Sequence, residues 1–226
     1  MPANPRRPVL WDVDTQVDFM EPAGKLYVPG AAARRAAMGR LVQAARAAGM
    51  VHVASADDHQ ATDSEISDEP DFSTTFLPHC MRGTPGADRI PETAQLDPLV
   101  LEPTAYSDLA ELARGRREFL LLKQSTDVFT NPNAATLVDW LSPAKVIVFG
   151  VATDVCDHAA IMGLRDRGWR VAFVEDAASG LSDERVAVCT AEWRERGVRF
   201  TTTAEVVAEL LASPERATAV AVDVKG

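Results

Sequence analysis

Seven short apolar runs recur along the chain, and most are separated by just enough sequence for one helix. That spacing limits the fold more than any other feature. The runs are VLWDV (9–13), MVHVAS (50–55), LVLEP (99–103), FLLLK (119–123), KVIVFGV (145–151), RVAFVE (170–175) and VRFTT (198–202). Their length and apolar character suit strands. Between them lie alanine-rich or amphipathic stretches that end at glycine, such as AAARRAAMGRLVQAARAAG (31–49) and SDERVAVCTAEWRERG (182–197), with Ser182 placed to cap the second. Continuous apolar strands alternating with helices imply a parallel sheet covered on both faces. The expected fold class is α/β, a three-layer α/β/α sandwich around a central, mainly parallel sheet.

One segment departs from the alternation. Residues 57–93 are polar, rich in proline and acids, and longer than an ordinary connection, a length that usually marks a functional or disordered loop. The chain therefore reads as a single domain over residues 1–213 carrying an insertion at about 57–93, followed by a tail at 214–226. No apolar run approaches membrane-span length, and the N-terminus MPANPRRPVLWDVD lacks the apolar stretch of an export signal, so a cytoplasmic protein is expected. Cys80, Cys156 and Cys189 lie far apart with no CxxC pair, which points to free thiols. A net charge of -10, with arginines scattered among acids, argues against nucleic acid as a partner and leaves a small molecule.

The stretch VIVFGVATDVCDHAAIMGL (146–164) runs from a strand pattern through glycine into a helix pattern and puts Cys156 in the first helical turn. Ligands of open α/β sheets bind at that end of the strands. Helix-end amides there favour an anion, so they would lower the thiol pKa and offer donors to an oxyanion. Asp14 and Lys123 end two other strand runs and should emerge on the same rim. A carboxylate could take the thiol proton, and an ammonium could hold both charges in place. The plainer reading is a buried cysteine beside a structural ion pair, and position alone does not choose between them. Asp12 is expected on the same face as Asp14 but deeper, and Asp18 in the following loop. The insertion adds Asp57, His59, Glu65 and His79, a donor set suited to zinc, manganese or iron(II). The alternative is a solvated acidic loop, and Asp58, Asp63 and Asp68 are nearby substitutes for Glu65.

The motifs VDTQVDF, LLLK followed by DVFTN, and GVATDVCDHAA resemble, in order and spacing, those of the isochorismatase-like cysteine hydrolases, a superfamily that includes nicotinamidases. The similarity spans roughly residues 8–205. It implies that superfamily's hydrolase fold and a Cys156, Asp14 and Lys123 triad. It further implies a cis peptide between Val151 and Ala152, with the Ala152 and Cys156 amides as an oxyanion hole. Asp57, His59 and the His79 of LPHCMRGTPGA match the nicotinamidase metal pattern, and Glu65 falls where members place histidine or glutamate. Phe19 and Phe76 match aromatic pocket walls, with Phe129 a third candidate. The implied activity is hydrolysis of a small carboxamide, nicotinamide first, through a thioester, with a divalent metal, zinc before manganese or iron. A dimer or tetramer is implied as well. The alternative within the superfamily is an isochorismatase or a carbamoyl-amide hydrolase, for which Arg82 and Arg89 could bind a carboxylate. Asp157, after the nucleophile, departs from the nicotinamidase pattern.

Overall fold

The computed structural model describes residues 7–212, so the tail expected from residue 214 lies outside the described residues. Each apolar run forms a strand: β1 (Val9–Val13), β2 (Val51–Asp57), β3 (Leu99–Leu101), β4 (Glu118–Lys123), β5 (Val146–Val151), β6 (Val171–Ser179) and β7 (Arg199–Thr201). The helices are α1 (Val17–Met20), α2 (Ala31–Ala47), α3 (Leu109–Leu112), α4 (Pro132–Leu141), α5 (Cys156–Asp166), α6 (Asp183–Glu195) and α7 (Thr203–Ala212). The strands form one sheet in the order β3-β4-β2-β1-β5-β6-β7, every neighbouring pair parallel.

Every residue of β1 and β5 is buried, as central strands of a doubly covered parallel sheet require. Side-chain alternation sorts their residues into two apolar layers. Trp11, Val146 and Val148 pack with α4, α5 and α6, while Leu10, Ile147 and Phe149 pack with α2 and α7. Ser182 caps α6 as read from the sequence, its hydroxyl accepting from the Arg185 amide at 3.4 Å. Helix α4 starts at a stronger signal, with Pro132 as its first residue and the Asn131 side chain accepting from the Asn133 amide at 2.9 Å. No helix among the described residues is long and apolar enough to cross a membrane.

The sheet order decides where a site can form. From β1 the chain moves to β2 on one side, whereas β5 lies on the other side and continues outward to β6. The carboxyl ends of β1 and β5 therefore flank a topological switch point, the crevice in which open α/β sheets hold ligands. The long insertion is tethered beside it. The Asp18 carboxylate accepts from the Cys80 amide at 2.7 Å, Arg82 pairs with Asp58, and the His59 amide donates to the Cys80 carbonyl at 3.1 Å.

Candidate active site

Three strand ends deliver three ionisable side chains to one buried point. Asp14 follows β1, Lys123 ends β4, and Cys156 opens α5 just after β5. Lys123 Nζ lies 2.9 Å from Asp14 Oδ2 and 3.7 Å from Cys156 Sγ, and all three side chains are buried. Ser55, on β2, donates to the other Asp14 oxygen at 2.6 Å. Asp14 has a left-handed backbone (φ 50°), a conformation costing a non-glycine residue roughly 1–3 kcal/mol. That twist takes Asp14 out of strand alternation, so the expectation that Asp12 lies beneath it on one face needs correcting. Asp12 instead pairs with Arg89, accepts from the Thr15 hydroxyl at 2.9 Å and lies 3.4 Å from His52 Nε2.

The charges explain each group's resting state. Burial would lower the Lys123 pKa, but Asp14 and Asp57 overcome it and hold the ammonium well above its usual range. Burial raises the Asp14 pKa, with Lys123 pulling the other way and Asp57 adding to the rise. Burial also pushes the Cys156 thiol well up; Lys123 opposes this, while Asp14 and Asp57 reinforce it. The sequence expectation of a depressed thiol pKa is therefore corrected. Two carboxylates and one ammonium leave net negative charge around the sulfur, and the thiol rests protonated beside a carboxylate whose basicity burial has increased. No side chain caps α5 at Val155, and the Asp157 amide donates to the Ala152 carbonyl at 3.1 Å. The Val151–Ala152 peptide is cis, and Ala152 and Cys156 line the same cavity.

A second cluster adjoins the first. Ligand atoms of Asp57, His59 and His79 lie within 4.8 Å of one another, all three residues buried. Asp57 Oδ2 is 3.5 Å from His79 Nε2 and 3.8 Å from His59 Nε2, and the other Asp57 oxygen accepts from Lys123. His79 Nδ1 faces the Leu77 carbonyl at 2.7 Å, and His59 Nδ1 faces Asp63 at 3.4 Å. Both contacts orient the rings with Nε2 turned inward. His59 Nε2 is buried without a hydrogen-bond partner among the described residues. An orphaned imidazole nitrogen facing a carboxylate and a second imidazole fits a divalent cation with open positions.

Glu65 lies outside this close group: its carboxylate accepts from the Thr126 amide at 2.8 Å, on the wall of the cavity that Asp57 and His79 also line. Asp58 and Asp63 are engaged by Arg82 and by the Gln60 amide. Phe19 and Phe76 line the cavity and lie against His79, with ring centroids 5.3 and 6.1 Å from it. Phe129 does not line it: its ring packs 6.2 Å from Trp11 beneath the Arg167 guanidinium and against Gly163. That expectation fails because the 3-10 turn after β4 carries the side chain under α5. Leu26, Val28, Val155 and Leu181 complete the rim, and sequence reading missed them because isolated aliphatic residues carry no chemical signature. Gln16 was legible as part of VDTQVDF, but its partner was not: its side chain exchanges two hydrogen bonds of 2.7 Å with the Asp57 backbone. His158 accepts from Trp193 Nε1 at 3.0 Å, facing α6.

Known proteins share this architecture. The chain is 31% identical over 192 residues to a nicotinamidase/pyrazinamidase of Mycobacterium tuberculosis, covering 83% of this chain and 95% of that protein. A pyrazinamidase of Pyrococcus horikoshii in complex with zinc superposes with a TM-score of 0.70 at 21% identity, over 87% of this chain and 99% of that one. An N-carbamoylsarcosine amidase from Thermoplasma acidophilum gives 0.68 at 20% identity, over 87% and 96%. The isochorismatase domain model matches residues 9–205, nearly all of the described fold and every group placed above, and the chain belongs to the isochorismatase family.

Proposed function

We propose that the protein is a cysteine amidohydrolase acting on a small, flat, uncharged carboxamide, with nicotinamide the favoured substrate. One observation carries the reading: a thiol 3.7 Å from an ammonium that is itself 2.9 Å from a carboxylate opens into a slot walled by Phe19 and Phe76. Asp14 takes the thiol proton as sulfur attacks the carboxamide carbon. The Ala152 and Cys156 amides would receive the oxyanion, and Lys123 keeps Asp14 fixed as the charge redistributes. Asp14 then returns the proton to the departing ammonia and leaves a thioester. In the second half Asp14 draws a proton from water, the resulting hydroxide displaces sulfur as the thiolate, Asp14 returns that proton to the sulfur, and the carboxylic acid is released. Asp57, His59 and His79 would hold a divalent ion, zinc before manganese or iron, which when bound supplies a Lewis acid for a ring nitrogen or a water. This chain's own part there is to aim two imidazoles and to exclude bulk solvent with two phenylalanine rings.

The pocket chemistry disfavours a carboxylate-bearing substrate such as isochorismate or an N-carbamoyl acid. Arg82 is paired with Asp58 and Glu102, and Arg89 with Asp12, so neither guanidinium lines the slot. Ammonia release should be measured from nicotinamide, pyrazinamide, benzamide and an N-carbamoyl amino acid, each with and without chelator. The aromatic amides should turn over, and Cys156→Ala should abolish turnover while metal content is unchanged. Substantial residual turnover in that variant removes the nucleophile assignment. Preference for the carbamoyl acid removes the substrate assignment.

A further inference from the structure

The rim opposite the catalytic one has a chemistry that amide hydrolysis does not use. Two adjoining cavities of about 340 and 560 Å³ open at the amino ends of the strands, whereas the catalytic slot holds about 30 Å³. They share the walls Gly49, Gly115, Arg116 and Arg117. Their volumes fall in the range of roughly 300–1,000 Å³ typical of small-molecule sites. In a chain of net charge -10, four exposed arginines, Arg46, Arg114, Arg116 and Arg117, converge here from the end of α2 and the α3–β4 turn. Three of these arginines are neighbours in sequence, at 114–117, and the parallel topology brings Arg46, near the end of α2, to the same rim.

Among the described residues the lining offers two carboxylates against them. Glu118 is already engaged by the Leu96 and Asp97 amides at 2.7 and 2.9 Å and by Arg46 at 3.4 Å. Asp97, 93% exposed, touches Arg116 at 3.5 Å, a pair that water and ligand easily replace. Arg117 is fixed on the Gly49 carbonyl, while the Arg114 side chain has no partner among the described residues. Beside this charge the first cavity presents Trp140, half-buried, with Val51 and Leu141. Gly115 (φ 79°) forms the turn between the two cavities, with nothing within 4 Å of where a Cβ would stand.

Guanidinium forks match phosphate oxygens two at a time, and an indole beside aliphatic side chains offers a planar base an apolar surface. We propose that this rim is a binding site for a nucleoside phosphate, with the phosphates on Arg114 and Arg116 and the base against Trp140. The chain's overall negative charge opposes a nucleic-acid polymer at the same place.

The test uses the full chain and reads binding alone, so its outcome does not depend on the proposed reaction. Calorimetric titrations with ADP, pyrophosphate and adenosine should show ADP tightest and adenosine weakest, with ADP affinity falling as salt rises. Hydrogen exchange with ADP present should slow at residues 49–51, 114–117 and 140, and not at 150–160. The exposed double variant Arg114→Glu/Arg116→Glu should weaken ADP at least tenfold while its circular dichroism spectrum and Tm stay unchanged. No binding of ADP at millimolar concentration, protection confined to the catalytic rim, or a double variant that binds as well as the parent overturns the site. Equal affinity for ADP and pyrophosphate overturns the assignment of a nucleoside to Trp140.

Discussion

Replacing Asp157 with asparagine should stabilise the protein, and by more at each step up in pH. Asp157 follows the candidate nucleophile, is fully buried, and neither carboxylate oxygen has a hydrogen-bond partner among the described residues. The Thr153 hydroxyl lies near enough to favour the anion slightly but makes no well-formed hydrogen bond. Burial first, then the charges of Asp14 and Asp12, push the acid well above the usual carboxylate range. Between the unfolded value, near 4, and that raised value, the folded protein holds a proton that the unfolded chain has lost. Stability therefore falls as pH rises through this window, by about 1.4 kcal/mol per pH unit. Asparagine has the shape of the neutral acid and does not titrate, so the gap between variant and parent should open by that amount per unit. For a chain of this size the gap corresponds to roughly 3–6 °C in Tm per pH unit. Thermal unfolding of both proteins at pH 5, 6 and 7 is the assay. Parallel Tm curves, or a variant less stable by the same amount at every pH, would show that Asp157 is a satisfied anion.

Lys123→Met should remove measurable turnover and cost about 3–5 kcal/mol in chemical denaturation, because it strands Asp14 and Asp57 as buried, unpaired carboxylates. A loss below 1 kcal/mol would mean that the two acids are not both charged. His79→Ala should weaken divalent-metal binding beyond the roughly 10–100-fold that follows loss of a ligand's outer hydrogen-bond partner, read by metal content after dialysis. Metal retained at parent affinity would remove His79 from the set. Phe129→Ala should lower stability by about 2–4 kcal/mol through the gap left beside Trp11 and Gly163. It should leave the order of preferred carboxamides unchanged, and a reordered panel would return Phe129 to the substrate wall.

The strands were the most legible part of the chain because period and length are local properties. Each of the seven apolar runs forms a strand, the 9–13 run without any shift and no end displaced by more than four residues. Asp14, Lys123 and Cys156 could be paired from sequence because a parallel sheet sends every strand end to one rim, so being last in a run already implies convergence. Glu65 and Phe129 show where that logic stops. Each lies in a connection whose path is set by contacts made elsewhere, Glu65 by the Thr126 amide and Phe129 by the packing of α5. Ser55 was invisible for another reason: a hydroxyl inside an apolar run reads as a tolerated strand residue until the carboxylate across from it is in place. The thiol's resting state needed the full count of neighbouring charges, which no local stretch contains.

The pair of hydrogen bonds between the Gln16 side chain and the Asp57 main chain extends the β1–β2 ladder one rung past the last residues of β1. A third bond ties the same amide to the Ala87 carbonyl at 2.9 Å. The carboxylate proposed to move protons and the one that faces the two imidazoles thus ride on a single brace, anchored also to the insertion. Loosening that brace would degrade proton transfer and ion retention together, so a lesion at Gln16 would look like two defects with one origin.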